Sequence, residues 1–435
     1  MTLVSVKTRE EAFDLLDGYA VERREELERQ HTRRPLVKSY LLETAPHGHA
    51  EPSLETVFAK AGCDLKQLDD TLFKIFDANQ GKYIGLLEKL IQRHPVIYTT
   101  EKSDVMGRWV RKLVASTTAL DHLWLSGRAF EELLKTIIKV TPDQRYVRMV
   151  FQHENFFDVE ESTRFARHTT EASNGDDDES AEMDGEENSG ETFEQRFIEE
   201  SDDDYVPERR KTTFTLTDRL GVIKRLLPQM QELYSPFYSI SALRFPAQGR
   251  PGGHDFYFDG KVTNRSNSFA DHRLHLQFVL RLYKRATETT EQVVCRGVER
   301  NKILTGARQQ TFVGAPVTLQ FQEPLSQEVF DNFIESTFNR PNGKFRLWGN
   351  PIFLGPRKAH VYGIDRHLWQ PIFLEITDRQ IVAIIPQGTC GNSVHRLVTN
   401  VQQYLDPGVR VWVGDTDYSE LIRTDPDIRS IYDEL

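Results

Sequence analysis

Cysteine is scarce in this sequence: three residues, Cys63, Cys295 and Cys390, among 435. A set that is odd in number and widely spaced suits neither a zinc knuckle nor a complete disulfide framework, and it predicts free thiols in a reducing compartment. Long apolar runs are missing as well. No stretch approaches the ~18 residues of a membrane span. The opening MTLVSVKTREEAFDLL carries charge where a secretory signal needs an apolar core. The expectation is a cytoplasmic protein with no membrane partner. Bulk basic charge is also absent. The net charge is -11, but fifteen acidic residues and one basic residue, Arg196, fall between Asp176 and Asp204, so the rest of the chain sums to about +3. That near-neutral remainder offers no bulk electrostatic case for nucleic acid. There is no phosphate-binding P-loop, dinucleotide glycine fingerprint, serine-nucleophile elbow or internal repeat, and the sequence leaves any cofactor unknown.

What is present divides the chain. Its length predicts two or three compact units, and a hydrophobic share of 38% suffices for their cores. The stretch GDDDESAEMDGEENSGETFEQRFIEESDDDY has too few apolar residues to offset the entropy of ordering, and reads as a disordered acidic linker spanning 161–210. Before it the periodicity is helical. Thr8 and Glu11 stand at capping-box spacing. Met106, Trp109, Val110, Leu113, Thr117, Leu120 and Trp124 recur at three or four residues, and Phe130, Leu133, Leu134, Ile137 and Ile138 repeat the pattern, predicting an antiparallel helix pair. Alternation in YVRMVFQ predicts a strand after them. The expected fold class is therefore α+β: a mainly helical domain at 1–160, the linker, a β-rich subdomain at 211–310, and an α+β subdomain at 311–435 with antiparallel hairpins.

The segment GGHDFYFDGKVTNRSNSFADHRLH, residues 252–275, is the densest in chemistry. DFYF and KVTN flank Asp259-Gly260, a pair suited to a two-residue type I′ hairpin turn. Downstream, Leu274, Leu276, Phe278, Leu280 and Leu282 stand two apart and predict a strand. That strand would turn Arg273, His275 and Arg281 outward, a small basic face able to meet phosphate or single-stranded nucleic acid. His254, Asp255, Asp271 and His272 would then approach one another, and imidazole with carboxylate is a donor set for a hydrolytic divalent metal. The competing reading is hydrogen-bonded turn and strand residues.

Two short stretches resemble known binding loops. FDANQGKYIGLLE resembles an EF-hand calcium loop, with Asp77, Asn79 and Glu88 at positions one, three and twelve and Ile84 at eight, but Gly81 stands at five and Lys82 at the glycine position six. The preferred reading is two helices separated by Asn79, Gln80 and Gly81. Near the C-terminus, QGTCGNS leads from a strand into a helix marked by Val394, Leu397, Val398, Val401, Tyr404 and Leu405. Cys390 and Arg396 there are similar in spacing to the Cys-x5-Arg loop of cysteine-dependent phosphatases, which implies a thiolate nucleophile and an arginine holding phosphate. Thr389 and Leu397 depart from the histidine and hydroxyl that flank that motif. The plainer alternative is a helix entry capped by Asn392 or Ser393.

The architecture favours a non-catalytic interaction or sensor protein, two modules on an acidic tether that meet a protein partner, with nucleic acid as a weaker alternative. Two enzymatic readings stand beside it: a metal-dependent phosphodiesterase or nuclease using the His254–His275 region, and a thiol phosphatase at Cys390 and Arg396.

Overall fold

A computed structural model of the chain describes residues 3–28, 34–46, 53–158, 211–248, 251–302, 308–339 and 343–423. The acidic segment expected at 161–210 and the chain beyond 423 lie outside the described residues. Thr8 starts the first helix: its Oγ1 accepts the Glu11 N–H at 3.2 Å, and the Glu11 carboxylate accepts the Lys7 N–H at 2.7 Å. This is α1 (Arg9–Glu28), and beyond it the expected helical domain is not found. The chain runs through β1 (Lys38–Glu43), α2 (Leu54–Lys60), β2 (Cys63–Gln67), β3 (Leu72–Asp77), β4 (Lys82–Ile91), β5 (His94–Thr99), α3 (Ser103–Ala115), β6 (Asp121–His122), α4 (Gly127–Val140) and β7 (Tyr146–Glu154). Strands outnumber helices seven to four among the described residues of this N-terminal region. β1 and β5 are buried at every residue, polar ones such as Ser39, Glu43 and His94 included, so no two-residue alternation of apolar and polar residues marks them in the sequence.

Two local expectations fall with it. The segment resembling an EF-hand is the β3–β4 hairpin, where Asp77 Oδ1 accepts the N–H groups of Asn79 and Gln80 at 2.9 and 3.2 Å and so closes the turn. The helices α3 and α4 serve separate cores. Met106, Val110 and Leu113 pack with Tyr40, Leu42 and Ile97, whereas Phe130, Leu133 and Ile137 pack with Leu41, Val96 and Tyr98. Successive strand residues point to opposite faces, so the two helices lie across the sheet from each other. Thr117, Leu120 and Trp124 fall beyond the end of α3.

The chain resumes in β8 (Lys211–Arg219), α5 (Leu220–Leu233), β9 (Ile240–Pro246), β10 (Gly253–Tyr257), β11 (Lys261–Asn264) and α6 (Phe269–Val294). One antiparallel sheet of eleven strands collects them in the order β2-β3-β4-β5-β1-β11-β10-β9-β7-β8, with β6 paired to β1. β7 and β8 pair from Tyr146↔Arg219 to Glu154↔Lys211, so the described strands that flank the acidic segment are neighbours in one sheet. The β10–β11 hairpin forms as expected, but through a loop of Phe258, Asp259 and Gly260. Gly260 has φ +78°, while Asp259 is not in the left-handed region. This is the three-residue pattern, with glycine supplying the left-handed conformation.

The strand expected from Leu274 onward is the helix α6. Ser268 caps it, accepting the Asp271 N–H at 3.2 Å, and Asp17 of α1 accepts the N–H groups of Phe269 and Ala270 at 2.7 and 3.3 Å. A carboxylate at that end complements the helix dipole.

A β12 (Gly297–Lys302) and β13 (Arg308–Val313) hairpin leads to β14 (Val317–Gln320), α7 (Gln327–Phe338), β15 (Leu347–Gly355), β16 (Lys358–Asp365), β17 (Gln370–Thr377), β18 (Gln380–Ile384), α8 (Asn392–Tyr404), β19 (Arg410–Val413), β20 (Thr416–Asp417) and α9 (Tyr418–Leu421). A second antiparallel sheet, seven strands in the order β15-β16-β17-β18-β14-β19-β20, results. One apolar cluster extends from Leu3 to Ile422 through both sheets, and α8 is buried along its whole length. Among the described residues no helix is long and apolar enough to cross a membrane.

Candidate functional site

Helix α6 and the β10–β11 hairpin bring together a histidine cluster. His254 projects from β10, and its Nε2 lies 2.9 Å from Asp271 Oδ2 on the first turn of α6. One turn later, His275 Nδ1 is 2.8 Å from the Asp271 carbonyl and 3.4 Å from Asp271 Oδ1. On the other side of the His254 ring, its Nδ1 is 3.2 Å from His272 Nδ1, and His272 Nε2 is 2.8 Å from Ser39 Oγ on β1. Ligating atoms of His254, Asp271 and His275 all fall within 4.8 Å of one another. Exposure is 0% for His254, 7% for Asp271 and 2% for His275. Burial, reinforced by the neighbouring imidazoles, holds His272 well below the usual histidine range, and burial pulls His275 down to about 4. Burial raises the Asp271 carboxyl, but the His254 hydrogen bond and the two imidazoles outweigh it and leave the group below its ordinary value.

Not all of the expected ligands meet there. Asp255 follows His254 on the strand and therefore faces the other way. Its oxygens lie 2.5 Å from Arg244 Nε and 2.6 Å from Arg265 Nε, and these arginines overcome burial to bring it to about 2. The basic face formed by Arg273, His275 and Arg281 dissolves because the helix turns ~100° per residue. Arg273 binds Glu88 at 2.7 Å, His275 is inside the cluster, and Arg281 is half-buried about two turns further along α6.

Cys390 and Arg396 are in the interior and serve different neighbours. Cys390 Sγ lies 3.3 Å from both Glu43 Oε1 and Arg93, which in turn binds Glu43 at 2.6 Å and Glu291 at 2.8 Å. Burial and the Glu43 carboxylate push the thiol well above its ordinary range, the reverse of an activated nucleophile. Arg396, 1% exposed, is engaged by Asp121, by Asp365 at 2.5 Å and by the Phe345 carbonyl at 3.0 Å. Its guanidinium joins β6 to β16 rather than closing an anion cradle around Cys390. The first residue of α8 is Asn392 and its N-cap is Gly391, which has no side chain to cap with; Gly391 N–H instead donates to Glu291 at 2.9 Å.

Sequence reasoning missed Glu43, Arg93, His94, Asp121 and Asp365. None stands in a local pattern. Cys390 and Glu43 are 347 positions apart, and only the joining of the two sheets makes them neighbours.

A family model described as MJECL33-like protein matches residues 1–420. The chain belongs to the MJECL33-like family. A relative from Methanocaldococcus jannaschii, named uncharacterized protein MJECL33, is 23% identical over 383 residues, covering 85% of each chain. No solved structure is significantly similar to this chain. Neither name states an activity.

Proposed function

We propose that the protein is a metal-containing binding protein in which one divalent ion of the zinc class joins β10 to α6 through His254, Asp271 and His275. The observation that supports this reading is the convergence of three buried ligating atoms from two elements. Zinc bonds of about 2.0–2.2 Å to imidazole and carboxylate place neighbouring tetrahedral ligands roughly 3.3 Å apart; His254 Nε2 and Asp271 Oδ2 stand 2.9 Å apart, close to that spacing. With His254 Nε2 on the ion, its Nδ1–H would donate to His272, and His272 Nε2–H to Ser39, the outer support that metal-bound imidazoles commonly have. Burial favours a structural ion over a hydrolytic one, which needs a coordination position within reach of substrate.

The test is metal analysis of the purified full-length chain by mass spectrometry. About one ion per chain is expected, lost in His254→Ala and His275→Ala and retained in Asp255→Ala, whose carboxylate belongs to Arg244 and Arg265. A folded wild-type chain that takes up no zinc or cobalt would show that the hydrogen-bonded series Ser39, His272, His254, Asp271 stands without an ion, and would end the proposal.

A second reading keeps the expectation of macromolecular interaction. The outward face of the second sheet exposes Trp348, Tyr362, Phe373 and Ile384, the last three in register across β16, β17 and β18. The occupant we favour is a second copy of this chain, because the adjoining edge of β15 pairs with no described strand and carries exposed Ile352, Phe353 and Leu354.

A further inference from the structure

The hairpin of β12 and β13 joins neither large sheet. Its strands pair with each other alone, from Gly297↔Val313 to Lys302↔Arg308. Backbone bonds fix the root of the hairpin: the Arg296 N–H donates to the Ile385 carbonyl at 2.8 Å, the Gln387 N–H to the Arg296 carbonyl at 2.8 Å, and the Ala315 N–H to the Val293 carbonyl at 2.9 Å. At a rise of about 3.4 Å per residue the paired stretch is a two-stranded ribbon roughly 20 Å long.

Charge is unevenly placed on it. Arg296, Arg300, Lys302 and Arg308 stand against one carboxylate, Glu299, between positions 296 and 313. Cross-strand partners share a face and successive residues alternate between faces. The register therefore places Val298 with Phe312, Arg300 with Gln310 and Lys302 with Arg308 on one face, and Glu299 with Thr311 and Asn301 with Gln309 on the other. Three cations share a face that has no acid in its register. Val298, on that face, is 46% exposed. Arginines in the body of the protein are differently placed: Arg93 is met by Glu43 and Glu291, Arg273 by Glu88, and Arg396 by Asp121 and Asp365.

We infer that this face of the β12–β13 ribbon binds duplex DNA. The major groove of B-form DNA, about 12 Å wide, admits a two-stranded ribbon, whereas the deep, narrow major groove of duplex RNA does not. Arginine and lysine suit the phosphates that flank the groove, and glutamine, as at position 310, is a residue type that bonds the adenine edge. A single strand would need a series of stacking rings, and the face offers Phe312 alone. The net negative charge of the chain does not forbid a local contact, since charges more than about 10 Å away are screened at 0.1 M salt. The contact is independent of the histidine cluster and of the β15 edge.

Fluorescence anisotropy of a labelled duplex of about 20 base pairs, two helical turns, titrated with the full-length chain tests it. Saturable binding is expected, with log K falling against log salt between about 50 and 200 mM at a slope of about -3, roughly 0.9 for each of three phosphate contacts. The triple variant Arg300→Gln, Lys302→Gln, Arg308→Gln should weaken the duplex by about tenfold or more and bring the slope near zero. Asn301→Glu with Gln309→Glu, on the opposite face, should cost less than about threefold. No saturable binding by the wild-type chain, tighter binding of the single strand, equal displacement by polyglutamate, or an equal loss in the two variants would overturn the inference. Should the triple variant fail to show the wild-type circular dichroism spectrum, the wild-type slope decides, and a value shallower than about -1 overturns it.

Discussion

Glu43 ends β1 with 0% exposure, and residues remote in the chain decide its charge. Burial is the largest influence, and with Glu291 it raises the carboxyl from 4.5 to about 7 against the pull of Arg93. Glu43 Oε2 and His94 Nε2 face each other at 3.9 Å, each without a hydrogen-bond partner, while His94 Nδ1 lies 3.1 Å from the Gln92 carbonyl. A raised acid binds its proton more tightly in the folded state. Its stabilising contribution is thus fully present below 4.5 and is lost as pH rises through about 7. A rise of that size corresponds to about 3 kcal/mol. Glu43→Gln should therefore gain on the wild type by up to about 3 kcal/mol between pH 5 and pH 8. Urea unfolding of both proteins at the two pH values measures this; a constant difference would show that Arg93 keeps Glu43 ionised throughout. No motif search could have chosen Glu43, since an isolated glutamate at a strand end reads as surface. His254, Asp271 and His272 were visible as residue types, but Asp255 was grouped with them wrongly because strand alternation turns it away.

At the scale of elements, periodicity succeeded on helices with an apolar stripe and failed on β1 and β5, which are buried on both faces. α4, the β10–β11 hairpin and α8 stand where the sequence patterns put them. α6 was misread because leucines two apart satisfy a strand while Leu276, Val279, Leu280 and Tyr283 satisfy a helix. A signal could have settled it: Ser268 stands three residues before Asp271, and 26 residues without glycine or proline exceed any ordinary strand. β15 carries the prediction that belongs to this level. Its open edge and exposed Ile352, Phe353 and Leu354 suit antiparallel pairing with the same strand of a second copy. The full-length chain should be dimeric by light scattering at micromolar concentration, and the double variant Ile352→Lys, Phe353→Lys should be monomeric with an unchanged circular dichroism spectrum. A wild-type chain that stays monomeric under those conditions ends the self-association reading.

For the whole molecule, the strands that flank the acidic segment are the decisive fact. Glu154 and Lys211 are paired neighbours, so the described residues on either side of the segment lie on adjacent strands of one sheet. Replacing residues 159–210 with a short glycine-serine linker should leave unfolding stability within about 1 kcal/mol of the wild type, because closure entropy depends only weakly on loop length. Chemical denaturation measures this, and a large loss of stability would mean that the replaced residues contribute to the fold. The sequence by itself determined the concentration of acidic charge, the cap at Thr8, and the apolar stripes of α4 and α8, because each depends on residues within a few positions of one another. The tertiary structure alone decided that β7 joins β8, that His275 enters the histidine cluster, that Arg396 holds Asp121 and Asp365, and that Cys390 lies against Glu43. Those contacts depend on which strands pair and which helix is buried between the sheets, and spacing along the chain carries no record of either.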